Sequence, residues 1–416
     1  MGPAAGRTAR QAYSALTNVI SRPRTFVVCI GAAILATLSC LLYLPVTIRS
    51  FQFESDYTRH LAFAEKMYRT HQLVLPQFLF HLLTIGVVEA ARTSFQSAAL
   101  VVLGVSYGLT GLLVYRETAK VLIPAQPSRQ ALLGGGIAAL VVGLAVLFMQ
   151  PILNPVGPHI YQIGYFWAEP YGSPTYSLMK PLALASAVSA LAFLTSATTS
   201  RLAVMTAAIA TAAGALAKPS FVICLLPAVV ILGALRSKDH EAVDWKAITL
   251  GLLAPGAAIL LLQYYLSFSG FGPQGVYQNA VVFAPLRFFR EHNVSYLPAK
   301  LALSVAFPAA VYLLYWKRAR RDLPLNFALL LFAFGAGYGV LLAEAHRSRH
   351  GNFLWGAYIA LFILYLFSAT FLVRQLKTAS WKGVEGVRHF AAIALLLAHV
   401  GSGILIHVAT LHQQPG

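Results

Sequence analysis

The chain has 416 residues, of which 58% are hydrophobic and only 11% are charged, and its formal net charge is +18. A soluble globular protein is about 25% charged, so this composition excludes an ordinary soluble domain. The basic residues stand in short segments between apolar runs rather than on one face. This arrangement argues against nucleic acid as a partner and makes a membrane the expected one.

Apolar runs close to the roughly 20 residues that cross a bilayer recur along the whole chain. We therefore predict an all-α polytopic membrane protein with about eleven transmembrane helices. A single transmembrane domain covers residues 1–416, with a cytoplasmic N-terminus and no separate soluble domain. The predicted spans lie at about 26–46, 96–115, 131–150, 177–197, 202–217, 219–235, 247–266, 299–316, 325–343, 353–373 and 390–409.

The apolar stretch at 74–90 is short and contains Pro76 and His81. We predict that it is a juxtamembrane helix on the outer surface rather than a span. Lysine and arginine concentrate in cytoplasmic loops. The basic segments at 7–24 and 317–321 both face the cytoplasm only if this stretch does not cross. That topology places 19 of the 31 lysines and arginines inside.

The same topology places the longer and histidine-rich loops on the extracytoplasmic side. They are the first loop at 47–95, which carries juxtamembrane helices, and the loops at 151–176, 267–298 and 344–352. We therefore expect an integral protein of the cell (inner) membrane, with any active site on its extracytoplasmic face.

The densest group of ionisable residues follows the first predicted span. It contains Glu54, Asp56 and His60, and on a helix the last two share a face because they are four residues apart. We expect Asp56 to act as a general base, and Glu54 to help bind an acceptor or a divalent cation. A divalent cation is the one cofactor that these residues suggest. The alternative is a solvated loop with incidental charge.

Two lysines stand beside prolines at the ends of predicted spans, Lys180 before Pro181 and Lys218 before Pro219. An ammonium group at such a depth requires a partner or an anion, and a phosphate fits it well. Both are therefore candidate ligands of a lipid phosphate. The alternative is that they extend to the membrane interface without binding a ligand.

Two further outer loops hold candidate contacts. In loop 344–352, His346, Arg347 and His350 are candidates for a phosphate or diphosphate, or else form an interfacial charge cluster. Loop 151–176 is rich in aromatic residues, which suit either a sugar or a membrane interface. Together with two residues of the first loop, its ionisable groups are candidate acceptor or sugar contacts: His60, His81, His159 and Glu169.

The order of these features resembles the GT-C superfamily of membrane glycosyltransferases, which includes protein mannosyltransferases and aminoarabinose transferases. The resemblance is carried by the acidic motif of Glu54 and Asp56, by the proline-led segment at 76–83 and by the Lys-Pro segment at 217–220. It covers roughly the first 235 residues. Several members have Asp-X-Asp where this chain has Glu-Ser-Asp, which leaves a metal requirement open.

The resemblance implies a sugar donor carried on polyprenyl phosphate and a lipid or glycan acceptor. Asp56 would then deprotonate an acceptor hydroxyl during an inverting displacement, and Lys218 and Arg347 would hold the leaving phosphate. Two other functions stay open. One is a polysaccharide polymerase or O-antigen-ligase-like enzyme that relies on Arg347 and His350. The other is a lipid or polysaccharide transporter, a class that tends to have internal repeats and mid-membrane charges.

Overall fold

A computed structural model describes residues 23–153, 163–168, 172–268, 280–346, 348–377 and 380–412. The predicted site residues His159, Glu169 and Arg347 lie outside these ranges. The first half of the described chain contains α1 (Pro23–Ser50), α2 (Asp56–Thr70), α3 (Leu79–Ala91), α4 (Phe95–Leu122), α5 (Arg129–Phe148), α6 (Pro174–Phe193), α7 (Arg201–Ala217) and α8 (Ser220–Lys238).

The second half adds two short strands to the helices. The elements are α9 (Trp245–Ile248), a π-helical turn (Thr249–Leu253), α10 (Ala254–Phe268), β1 (Val281–Phe283), α11 (Arg287–Glu291), α12 (Leu297–Leu314), α13 (Trp316–Ala319), α14 (Leu323–Leu341), β2 (Leu342–Glu344), a 3-10 turn (Ser348–His350), α15 (Leu354–Lys377) and α16 (Gly383–His412). The strands pair antiparallel, with Val281 opposite Glu344.

Ten helical segments of the described chain are long and apolar enough to cross a membrane. One of them, Trp245–Ser267, joins α9, the π-helical turn and α10. The protein is therefore an all-α polytopic membrane protein, as predicted. The stretch predicted as an additional span at 202–217 forms α7, which at 17 residues is shorter than the other ten. Its crossing stays a prediction.

Helices α2 and α3 follow α1, in the loop predicted to carry juxtamembrane helices. Helix α2 begins at Asp56 because Ser55 adopts an extended N-cap conformation and its backbone N–H donates to Thr58 Oγ1 at 3.0 Å. A carboxylate in the first turn also suits the positive end of the helix dipole. Helix α3 has 13 residues, about 20 Å of helix, which is too short to cross a bilayer.

Helix α15 is the centre of the bundle, because 89% of its most apolar stretch is buried inside the protein. A polar network fixes its neighbours. The Tyr365 hydroxyl donates to the Ser304 carbonyl at 2.6 Å, and His399 Nδ1 lies 3.0 Å from the same hydroxyl. His399 Nε2 accepts from the Phe307 N–H at 3.2 Å, so Nδ1 carries the proton that it donates to the Gln150 carbonyl at 2.6 Å.

Contacts between described loop residues fall into two groups, as an alternating topology requires. At one end Lys377 Nζ donates to the Val121 carbonyl at 2.6 Å, and Arg374 pairs with Asp322 at 2.6 Å. All of these positions belong to loops predicted to be cytoplasmic. The other end gathers the segments predicted to be extracytoplasmic, and the candidate site lies there.

Candidate functional site

Lys218 is the centre of the candidate site. It caps the end of α7, one residue before the Pro219 N-cap of α8. Its ammonium nitrogen lies 3.3 Å from Thr175 Oγ1 and 3.5 Å from Ser173 Oγ. The same nitrogen stands 3.7 Å from the centre of the Trp355 ring, at the start of α15. One side chain therefore connects three spans that are distant in sequence.

Burial lowers the pKa of Lys218 to about 7, against the opposing effect of the Asp56 carboxylate, which raises it. Its described neighbours include two neutral hydroxyls and an aromatic face, none of which neutralises a charge. Near pH 7, Lys218 is therefore protonated in only part of the molecules, and an anion bound beside it would raise the protonated fraction.

Two helix N-termini adjoin this lysine. Helix α6 begins at Pro174, and its N-cap Ser173 makes no side-chain capping bond to the helix. The buried hydroxyls of Ser173 and Thr175 are instead 3.0 Å from each other. Helix α8 begins at Ser220. The free N–H groups of helix N-termini favour anions, so Lys218 lies where an anion would also meet two helix dipoles.

Asp56 is the member of the acidic pair whose charge affects the pKa of Lys218. As the first residue of α2 it is half-buried, whereas Glu54 is exposed and pairs with Arg59 at 3.1 Å. The described residues contain no group of three His, Cys, Asp or Glu that could hold a metal ion. A divalent cation at Asp56 and Glu54 would therefore take its other ligands from substrate and water, as Mg²⁺ commonly does.

His60 lies one turn after Asp56 on α2 and pairs with His81 of α3, with 2.9 Å between Nδ1 and Nε2. Burial holds the pKa of His60 well below its usual range, and the protonated forms of His81 and Lys218 would lower it further. Burial also lowers the pKa of His81 to about 4. Both imidazoles are therefore neutral at pH 7, and their bond joins the two helices of the first loop beside the site.

A cavity of about 500 Å³ adjoins Lys218, which forms part of its wall. Its apolar wall includes Leu261 and Tyr264 of α10, whose relative exposures of 69% and 65% show that this wall continues onto the outside of the bundle. Its polar lining comes from several segments of the chain: Gln77, Lys218, Ser220, Gln263, Ser267, Glu344 and Asn352.

The other predicted phosphate ligands lie elsewhere. Lys180 is buried within α6, with its ammonium nitrogen 4.1 Å from the centre of the Phe362 ring and 5.3 Å from that of Tyr43. It is not among the described residues that line the cavity. Helix geometry places it about 9 Å beyond the start of α6. Its binding of a phosphate stays a prediction.

The loop between α14 and α15 contributes to the cavity through residues other than the predicted ones. Among its described residues, His346 and His350 are exposed and do not line the cavity. Instead Glu344 and Asn352 line it, joined by a bond of 2.9 Å from Asn352 Nδ2 to the carboxylate. The 3-10 turn is held by Glu291, which accepts from Ser348 Oγ at 2.6 Å.

Sequence reasoning did not single out several residues of this site: Ser173, Thr175, Gln263 and the pairing of Glu344 with Asn352. Gln263 had a visible signal, because an amide inside an apolar run is unusual and calls for a partner. The hydroxyls of Ser173 and Thr175 had only the weak signal of a Ser-Pro-Thr helix start. Their approach to Lys218 depends on packing between α6 and α7.

Comparison with known proteins adds no relative to this description. No family model, no curated protein and no solved structure matches this chain.

Proposed function

We propose that this protein is a GT-C-like membrane glycosyltransferase that moves a sugar from a polyprenyl-phosphate donor to an acceptor hydroxyl on the extracytoplasmic face. The observation that carries the proposal is the position of Lys218. It lines a cavity with an apolar wall, and the charge of the Asp56 carboxylate raises its pKa. A cation for a lipid phosphate and a carboxylate that can act as a base for an acceptor are therefore electrostatically coupled.

The donor is expected to bind with its phosphate at Lys218. Nζ and the hydroxyls of Ser173 and Thr175 are hydrogen-bond donors for the phosphate oxygens, and the N-termini of α6 and α8 add favourable dipoles. The polyprenyl chain is expected to leave along the exposed side chains of Leu261 and Tyr264, which gives an apolar tail a path into the membrane.

The proposed reaction is a single inverting displacement. Asp56 takes the proton of the acceptor hydroxyl, and the acceptor oxygen forms a bond to the anomeric carbon. The bond between that carbon and the phosphate oxygen breaks, and its electron pair stays on the polyprenyl phosphate. Lys218 stabilises the charge that develops on this leaving group.

The most direct test combines lipid analysis with a base variant. We expect mass spectrometry of the protein purified in nanodiscs to find a co-purified polyprenyl monophosphate sugar. With that lipid and a membrane extract as acceptor source, Asp56→Asn should lower the rate of sugar transfer by about 100-fold or more, in the range of a lost general base. Donor binding should be retained, because the asparagine keeps the shape of the side chain.

Glu65→Gln is the matched control. Glu65 also lies on α2, but it pairs at the surface with Arg69 at 3.8 Å, so transfer should stay at the wild-type rate. Co-purification of a lipid diphosphate glycan, with full activity in Asp56→Asn, would instead favour a polymerase or ligase. Movement of a lipid across the bilayer without any bond to sugar being broken would favour a transporter. Either result would refute the proposal.

A further inference from the structure

The cavity beside Lys218 also contains a fixed carboxylate. Glu344 ends β2, where its pairing with Val281 of β1 holds its backbone, and both residues line the cavity. Asn352 Nδ2 donates to the Glu344 carboxylate at 2.9 Å. That bond occupies part of the acceptor capacity of the carboxylate and leaves the rest available. The cavity wall therefore carries one positive and one negative group on different segments of the chain.

Gln263 is the second acceptor on this wall. It is only 5% exposed, and its Nε2 donates to the carbonyls of Ala215 at 2.8 Å and Pro76 at 3.2 Å. These two bonds determine the orientation of the amide, because a flipped amide would place its oxygen against two carbonyl oxygens. Oε1 is then left with no hydrogen-bond partner among the described residues.

A buried amide oxygen without a partner destabilises a protein, so such an atom calls for an explanation. Gln263 lines the cavity, and a hydroxyl group of a bound molecule would supply the missing donor once the wall shifts to uncover Oε1, which is itself buried. Glu344 and Gln263 together call for a ligand that has several hydroxyl donors. The phosphodiester group of a glycosyl phosphate lipid has none to offer them.

From the acceptor groups on this wall we infer that the cavity holds the sugar unit of the donor. We further infer that Glu344 makes the cavity select neutral sugars and reject uronic acids. The inference rests on the proposed function. A neutral sugar donates hydroxyl hydrogen bonds to Glu344 and to Gln263 Oε1. A uronic acid brings a second carboxylate next to Glu344, while Lys218 is engaged by the phosphate, so the repulsion is not compensated.

The test uses matched pairs of short-chain polyprenyl-phosphate sugars that differ only at carbon 6: glucose with glucuronate, galactose with galacturonate, and mannose with mannuronate. Binding to the full-length protein in nanodiscs is measured by competition in native mass spectrometry. We expect the wild-type protein to prefer the neutral member of the pair that binds best by about tenfold, which is the effect of about 1.4 kcal/mol.

Glu344→Gln removes the charge and keeps both the shape of the side chain and an acceptor for Asn352. This variant should reduce the preference to about threefold or less, through tighter binding of the uronosyl lipid. Glu65→Gln removes one carboxylate outside the cavity, from the surface of α2, and should keep the wild-type preference. A thermal melt near that of the wild-type protein verifies that both variants are folded.

The possible failures are distinct. If the wild-type protein binds none of the six lipids, both this inference and the proposed function are wrong. If it binds a neutral sugar and its uronate equally, or prefers the uronate, only the inference is wrong. The same holds if Glu344→Gln keeps the full preference for the neutral sugar.

Discussion

At the scale of single residues, two lysines with the same local sequence context have different surroundings. Lys180 and Lys218 each precede a proline near the end of an apolar run. Lys180 lies inside α6 against the Phe362 ring, whereas Lys218 lies between two spans, beside hydroxyls and an aromatic face, and the charge of Asp56 raises its pKa. Only Lys218 combines access to the cavity with neighbours that suit an anion.

The pKa of Lys218 gives a prediction for donor binding. Burial lowers this pKa to about 7, so the neutral amine predominates above pH 7 in the free protein. The ammonium form binds the phosphate, and the phosphodiester itself does not titrate in this range. The affinity for a glycosyl phosphate lipid should therefore fall by about tenfold between pH 7 and 8.5, measured by competition binding in nanodiscs.

Lys218→Arg provides the control for that prediction, because arginine stays charged throughout this range. This variant should bind the lipid with an affinity that does not change with pH, and Lys218→Met should bind it weakly at every pH. A wild-type affinity that is constant from pH 7 to 8.5 would contradict the role assigned to the lysine.

At the scale of elements, the packing of α14 against α15 depends on close approach of the two backbones. A Cβ atom added at Gly335 would lie 2.5 Å from the Ala357 backbone nitrogen. This distance is shorter than van der Waals contact, so the two helices would have to move apart. Small residues allow such approach in membrane helices, where packing rather than the hydrophobic effect holds helices together. The burial of α15 therefore depends on glycine at this position.

Gly335→Ala should accordingly destabilise the protein by about 1–3 kcal/mol, the usual cost of overpacking, and lower its melting temperature. Gly337 lies two residues further along the same helix and has no atom within 4 Å of an added Cβ. Gly337→Ala should therefore not destabilise the protein, and the higher helix propensity of alanine should add about 0.5–1 kcal/mol of stability. Equal melting temperatures for the two variants in the same detergent would show that the contact between α14 and α15 is not tight.

At the scale of the whole molecule, the site requires that the first loop and the loop before α15 lie on the same side of the membrane. That condition holds if an even number of helices cross between them, so exactly one of α3 and α7 must cross; the proposed arrangement is that α7 crosses and α3 does not. The contacts of Lys218 with the start of α6 agree with this arrangement, because they place the end of α7 at that end of the bundle.

The topology can be tested with single cysteines, after the three native cysteines are replaced by alanine. Arg69→Cys and His350→Cys lie at exposed positions and should react with a membrane-impermeant maleimide in intact cells. Arg320→Cys is also exposed but lies in the basic segment, so it should react only after permeabilisation. Labelling of Arg69→Cys and His350→Cys on opposite sides would separate the halves of the candidate site and contradict the proposed function.

The sequence by itself determined the class of the protein and much of its order along the chain. Hydropathy is a local property, because about 20 apolar residues suffice to predict a membrane helix wherever that helix packs. The apolar runs, the helix after Ser55 and the short helix near His81 were therefore predictable.

Only the tertiary structure decided which side chains meet. The rotation of each helix about its axis depends on contacts with helices distant in sequence. This packing places the hydroxyls of Ser173 and Thr175 next to the ammonium group of Lys218 and keeps Lys180 away from them. The same packing leaves Gln263 Oε1 without a partner next to a cavity. Local sequence shows which residues are available for a site, whereas the packing of the spans decides which of them come together.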